Sequence, residues 1–214
     1  MDAAKPKGLQ QLESGHNVAF EQPAKRINEG DDVKFFLTSK AYTDIVTFIL
    51  QLNASLFPAK QRDNPSSVET WELGSSNVQI TPAIQQLSSL VSALNQFIDQ
   101  APPDQGPRRF GNVAFRKWYE LVEAQADALL DQHLPALQVD PSLGAQKEVK
   151  AYLLGSFGSA QRLDYGSGHE LSFLAFLAAL WKLGAFRGVD AQDNTAQERA
   201  LVLHVFEPYV TMVS

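Results

Sequence analysis

A chain of 214 residues with 44% hydrophobic content can bury one substantial core. Its formal net charge of −6 argues against a broad nucleic-acid or anionic-membrane surface. The absence of cysteine excludes disulfides and thiolate metal sites, which fits a reducing cytosol or nucleus.

The first 30 or so residues are polar, with no apolar signal region after Met1-Asp2-Ala3-Ala4-Lys5-Pro6, and read as a flexible arm to about Asp32. Ser39 is a suitable N-cap for a helix to about Leu56, with Tyr42, Ile45, Val46, Ile49 and Leu52 on one stripe. Pro58 through Asn77 is a loop carrying Trp71, whose ring is expected to dock on the body. Thr81-Pro82 caps a helix to about Asp99, with Ile84, Leu87, Val91, Leu94 and Ile98 at helical spacing.

After a proline-containing turn at Ala101 to Pro107, a helix from Asn112 to Leu134 buries Phe115, Trp118, Val122 and Leu129 and stops before Pro135. A shorter helix covers Lys147 to about Phe157. The apolar stretch Leu171 to Leu183 is too short to cross a bilayer and reads as a core helix closed by Gly184. Thr195-Ala196-Gln197-Glu198 has the form of a capping box that opens a last helix through Leu201, Val202, Val205, Phe206 and Tyr209, with Pro208 inside it. The apolar pattern still runs at Ser214. The chain therefore reads as cut short, with the Val205, Phe206 and Tyr209 stripe left for a further segment to cover. Period-two strands are lacking, so the fold class is all-α.

The densest chemistry lies in Arg162-Leu163-Asp164-Tyr165-Gly166-Ser167-Gly168-His169-Glu170, directly before the core helix. Glycines let backbone N–H groups approach a ligand, a helix N-terminus offers unpaired donors, and the Arg162 fork suits phosphate or carboxylate. Plain turn-and-cap chemistry is the alternative. A Ser167–His169 hydrolase fails because position 165 is Tyr rather than the first glycine of Gly-x-Ser-x-Gly, and no strand precedes it. His16, His133, His169 and His204 have no metal-site spacing, and His169 is expected to pack and hydrogen-bond. Asp164 and Glu170 beside Arg162 read as a salt-bridge cluster or a carboxylate pair. Arg108, Arg109, Arg116 and Lys117 form a basic group, read either as a solvated helix face or as a phosphate or acidic-partner contact.

The Arg162 to Glu170 run followed by an Ala/Phe/Leu-rich helix resembles the signature of the phosphotyrosyl phosphatase activator family. Arg109-Phe110-Gly111-Asn112-Val113-Ala114-Phe115-Arg116-Lys117-Trp118-Tyr119 is similar to a second motif of that family, and Ala41-Tyr42 through Leu52-Asn53 to its first long helix. The resemblance runs from about Phe20 to the chain end. It implies an irregular bundle of about six helices lacking the family's C-terminal helices, with residues 1–32 as the arm and 33–214 as the N-terminal and central part of the domain. It further implies a cytoplasmic or nuclear activator of protein phosphatase 2A. Such a protein would bind the phosphatase catalytic subunit with ATP and Mg and carry peptidyl-prolyl cis-trans isomerase activity on proline-containing peptides. By position, Arg162, Ser167 and Gly168 correspond to the family's nucleotide-contacting residues. Its Mg-contacting Gly and Asp lie downstream of Ser214, so no metal ligand is assigned. No catalytic residue is assigned either, because prolyl isomerisation breaks no bond and needs no nucleophile. A non-catalytic helical binding module is the alternative.

Overall fold

A computed structural model describes residues 8–12, 19–60, 66–75, 78–106, 111–138, 144–186 and 195–213. The helices are α1 (Gly30–Leu37), α2 (Lys40–Ser55), α3 (Pro82–Gln100), α4 (Ala114–His133), α5 (Ala145–Gly155), α6 (Ser167–Lys182), α7 (Ala196–Leu201) and α8 (Glu207–Val213). A π-helical turn, Val202–Phe206, joins the last two, and a 3-10 turn, Pro135–Gln138, follows α4. The fold is all-α. The exception among the described residues is a minimal antiparallel ribbon of β1 (Ala59–Lys60) and β2 (Val68–Glu69) within the loop after α2. No helix of the described residues is long and apolar enough to cross a membrane.

Helix α6 is the hub. Phe173, Phe176, Leu177 and Leu180 are buried there, and α5 and α2 pack against it. α3 packs on α4 and on the last helix. Local chemistry sets most boundaries. Ser39 Oγ accepts the Tyr42 N–H and Thr81 Oγ1 that of Ile84, which satisfies donors that helix starts leave unpaired. Gly184, in the left-handed region at φ 75°, closes α6 while Ala185 N–H reaches back to Leu180 C=O, the Schellman arrangement. Trp71 docks as expected, with the Arg199 guanidinium 3.5 Å from its ring centroid.

Several expectations change. α1 falls partly in the region read as an irregular arm. No residue of it is buried, although Val33, Phe36 and Leu37 stand at helical spacing, and the Asp32 carboxylate accepts the Asn28 and Glu29 N–H groups at its start. Residues 8–12 of the arm are docked: Leu9 is buried, its N–H donates to Gln51 Oε1 at 2.8 Å and its carbonyl accepts Trp181 Nε1 at 3.1 Å. In α2 the buried face is Phe48, Leu52 and Ser55, whereas Ile49 faces solvent. Thr195 and Glu198 do not close a capping box; Thr195 Oγ1 accepts Arg199 Nη2 and Glu198 accepts Gln51 Nε2.

The largest correction concerns the end of the chain. Val205 and Tyr209 are fully buried within this chain, so much of the stripe expected to await another segment is covered here, while Phe206 is only partly buried. Tyr209 stacks on Phe173 with ring centroids 3.8 Å apart. Pro208 explains the π turn. It has no N–H to donate and its ring crowds the carbonyl four residues back, and the Glu207 N–H reaches back five residues to Val202. The helix absorbs the proline by widening one turn.

An ion pair joins α2 to α6. Asp44 on α2, mostly buried, receives Lys182 from α6 and Lys40 from its own helix. Burial acts to raise the Asp44 carboxyl, but the hydrogen bonds from Lys182 and Lys40 outweigh it and hold it below the usual 3.8. A carboxylate with a lowered folded value stabilises above its unfolded value and loses that stabilisation as pH falls through the folded one. Asp44→Asn should therefore cost about 1 kcal/mol at neutral pH. Thermal melts of the two proteins should converge below pH 3.8; an unchanged gap at low pH would contradict this.

Candidate functional site

The signature segment leaves α5 through Gly158 and forms a closed loop before entering α6. Ser159 N–H donates to Asp164 C=O at 3.0 Å, Leu163 N–H to Ser159 C=O at 2.7 Å, and Arg162 N–H to Ser159 Oγ at 3.1 Å. Leu163 sits at φ +56°, a left-handed conformation that a branched side chain adopts only under constraint. Gly158, at φ +106°, lies where a Cβ would come within 2.6 Å of Asp164 O, so the loop closes only over glycine.

The second motif meets this loop in space. Gly111, at φ +84°, packs so closely that a Cβ would lie 2.5 Å from Leu163 O. Arg116 donates from Nε to Ala160 C=O at 3.0 Å and from Nη2 to Gln161 C=O at 3.4 Å. Arg116 is thus neither a bare solvated cation nor a free phosphate contact. Asn112 opens α4 as expected, its Oδ1 accepting Ala114 N–H and Asp104 N–H while its Nδ2 donates to Asp104 C=O. Arg108 and Arg109 lie outside the described residues.

Arg162 and Asp164 pair at 2.6 Å from Nε to Oδ2, both well exposed. The hydrogen bond to Arg162 holds the Asp164 carboxyl below its ordinary value. This is the salt-bridge reading of the cluster; Glu170 is not part of it. Only Nε is engaged, so the Nη groups of Arg162 have no hydrogen-bond partner among the described residues.

Ser167 and Gly168 occupy the first turn of α6, which begins earlier than the apolar stretch alone indicates. Gly166, the N-cap, provides no side-chain cap, and neither Ser167 nor Gly168 donates its backbone N–H to another described residue. Two donors at the positive end of a 16-residue helix are therefore open. Gly168 has a φ outside the left-handed region, and a Cβ on it would meet nothing within 4 Å. No turn strain therefore calls for glycine at this position, and the space above the helix start is clear. Arg162, Ser167 and Gly168 all lie on the exposed side of this loop-to-helix passage.

The base of the passage is built from phenols. Tyr209 Oη donates to Ser156 C=O at 2.6 Å, so Tyr165, 3.1 Å away, supplies the hydrogen of the Tyr165–Tyr209 bond. Burial pushes the Tyr209 phenol far above its ordinary value and keeps it a donor. His169 contacts Gly155 C=O through Nδ1 at 2.8 Å, which places the proton on Nδ1, and stacks on Tyr165. It packs and hydrogen-bonds, as expected, and forms no dyad with Ser167.

Beside the loop an open cleft of about 220 Å³ runs between the end of α3, the start of α4 and the last residues of α8. Phe115, Trp118, Phe157, Leu163 and Met212 line it, with Asp164 at its edge. Sequence reading placed Phe115 and Trp118 in the core but did not reveal the cleft, because its walls come from four separate segments.

A sequence model of the family described as "Phosphotyrosyl phosphate activator (PTPA) protein" matches residues 23–214. "Serine/threonine-protein phosphatase 2A activator 1" of Emericella nidulans is 51% identical over 221 residues, covering 100% of this chain and 50% of that protein. The protein of the same description from Aspergillus fumigatus is 50% identical, covering 94% of this chain and 42% of its own length. Among solved structures, "Crystal structure of the PP2A phosphatase activator Ypa1 PTPA1" superposes with a TM-score of 0.72 at 29% identity, covering 96% of this chain and 59% of that one. The chain spans about half the length of the curated relatives it matches. A family model matched over residues 23–214 and relatives at 50% identity or more show that the chain belongs to the phosphotyrosyl phosphatase activator family.

Proposed function

We propose that this chain is the N-terminal and central part of an activator of protein phosphatase 2A. It would engage the phosphatase catalytic subunit through a nucleotide held at Arg162, Ser167 and Gly168. The observation that carries the reading is the conjunction of 51% identity to a protein phosphatase 2A activator with an uncapped, open helix start at those residues. The residues fit a nucleotide's phosphates: two unpartnered N–H groups, a free pair of Nη donors and clear space over Gly168. ATP would supply the anion. No group of three or more His, Asp or Glu among the described residues is placed to hold a cation, so no magnesium ligand is assigned here and no step is routed through the ion.

The peptidyl-prolyl isomerase reading rests on the family and on the aromatic cleft beside the loop. Rotation about a prolyl amide meets a barrier of about 18–20 kcal/mol set by amide resonance. An apolar surface that strips water from the amide favours the twisted, less conjugated form, and the partly exposed Phe115, Leu163 and Met212 of the cleft would offer such a surface to proline-containing peptides. These phosphatase and isomerase roles would place the protein in the cytoplasm and nucleus.

Two variants test the nucleotide site. Arg162→Lys keeps the charge and loses the fork, and should weaken ATP binding about tenfold in calorimetric titration. Gly168→Val places a branched side chain in the open space over the helix start, and should abolish ATP binding with helix content retained in circular dichroism. Unchanged ATP affinity in both would refute the site. Collapse of the Gly168→Val spectrum would make the residue structural.

A further inference from the structure

Leu163 is the one described non-glycine residue with positive φ, and it stands between Arg162 and Asp164. A strained residue persists where its surroundings over-determine it. Two surroundings do so here, and both come from the other motif. The Gly111 backbone presses against Leu163, and the exposed Arg116 side chain takes two consecutive carbonyls, Ala160 and Gln161.

Holding consecutive carbonyls fixes consecutive peptide planes. The second of these contains Gln161 C=O and the Arg162 N–H, which in turn donates to Ser159 Oγ. One guanidinium thus orients the peptide unit from which the Arg162 side chain departs. Its planar fork suits two acceptors, where a lysine ammonium is a single point donor on a flexible stem. The neighbouring Lys117 is also exposed but has no hydrogen bond or ion pair to a described residue, so the clamp is not a general effect of positive charge at this helix start.

We propose that Arg116 is a positioning residue that holds residues 159–164 in the one loop shape that presents Arg162 to an anion. This rests on the reading of Arg162 as the nucleotide contact. Without the clamp, Leu163 is free to leave the left-handed region, the Ser159–Asp164 closure opens, and an anion must reassemble the loop on binding.

The test compares Arg116→Met, Arg116→Lys, Lys117→Met and Arg162→Ala with the unaltered protein. Two quantities are read: amide hydrogen exchange at Ser159 and Leu163, and calorimetric affinity for ATP. Arg116→Met keeps the aliphatic stem and removes every donor. It should speed exchange at both amides about tenfold while α6 amides stay protected. It should weaken ATP binding about five- to tenfold. Arg116→Lys should fall between Arg116→Met and the unaltered protein on both scales, and Lys117→Met should change neither. Exchange at Ser159 and Leu163 that is identical in Arg116→Met and the unaltered protein overturns the clamp, whatever the titrations show. Faster exchange with unchanged ATP affinity overturns its link to anion presentation. An ATP affinity that Arg162→Ala leaves untouched overturns the nucleotide reading instead, and that failure appears in a different variant.

Discussion

Tyr209→Ala is expected to cost about 3–5 kcal/mol, the range for truncating a large buried aromatic side chain. The ring is fully buried, stacks on Phe173 at 3.8 Å and lies 6.3 Å from Phe157. Its hydroxyl serves the Ser156 carbonyl and accepts from Tyr165. Tyr209→Phe separates the two contributions: packing is kept, while a buried carbonyl loses its donor at about 1–3 kcal/mol. Thermal melts should rank the unaltered protein above Tyr209→Phe and that above Tyr209→Ala. A Tyr209→Ala melt within a degree or two of the unaltered protein would show that the last helix does not close the core.

Gly111→Ala is expected to cost at least about 2 kcal/mol, because backbone strain and steric conflict coincide. At φ +84° a Cβ is already disfavoured, and it would sit 2.5 Å from Leu163 O and 2.7 Å from Leu163 Cβ. These are close contacts on the signature loop, one of them to backbone, so a side-chain rotation alone cannot relieve them. The loop must shift, and it carries Arg162 with it. The variant should therefore lose ATP affinity as well as stability, whereas Gly168→Ala, with open space around its Cβ and no left-handed φ, should melt near the unaltered protein. Equal melts for Gly111→Ala and Gly168→Ala would contradict the close approach of the two motifs.

Much of the fold is legible in the sequence because it rests on local signals. The helical spacing of Ile84, Leu87, Val91 and Leu94, the caps at Ser39 and Thr81 and the stop at Gly184 all appear in the structure. Failures fall where local signals are weak or silent. α1 is eight residues long and buries nothing; its Val33, Phe36 and Leu37 sit at helical spacing inside a polar stretch that reads as an arm. Glu198 has the spacing of a capping box, but its carboxylate is taken by Gln51 from another helix. The apolar stripe of the last helix signals burial without saying what covers it; Phe173, Phe157 and Ser156 of this chain do. The site follows the same division. Arg162, Ser167 and Gly168 stand out as residue types beside a helix start, whereas Arg116 looks like one cation among several. Its bonds to Ala160 and Gln161 span 44 and 45 residues, and no local pattern encodes them.

The central claim is that Arg162 and the open start of α6 couple nucleotide to phosphatase binding. The most direct measurement is the affinity of the protein for the catalytic subunit of protein phosphatase 2A, with and without ATP and magnesium, compared between the unaltered protein and Arg162→Lys. The account predicts tighter binding when ATP and magnesium are present, and a loss of most of that gain in Arg162→Lys with the nucleotide-free affinity unchanged. Binding that is equally tight with and without nucleotide, or a nucleotide gain that Arg162→Lys retains in full, would contradict it.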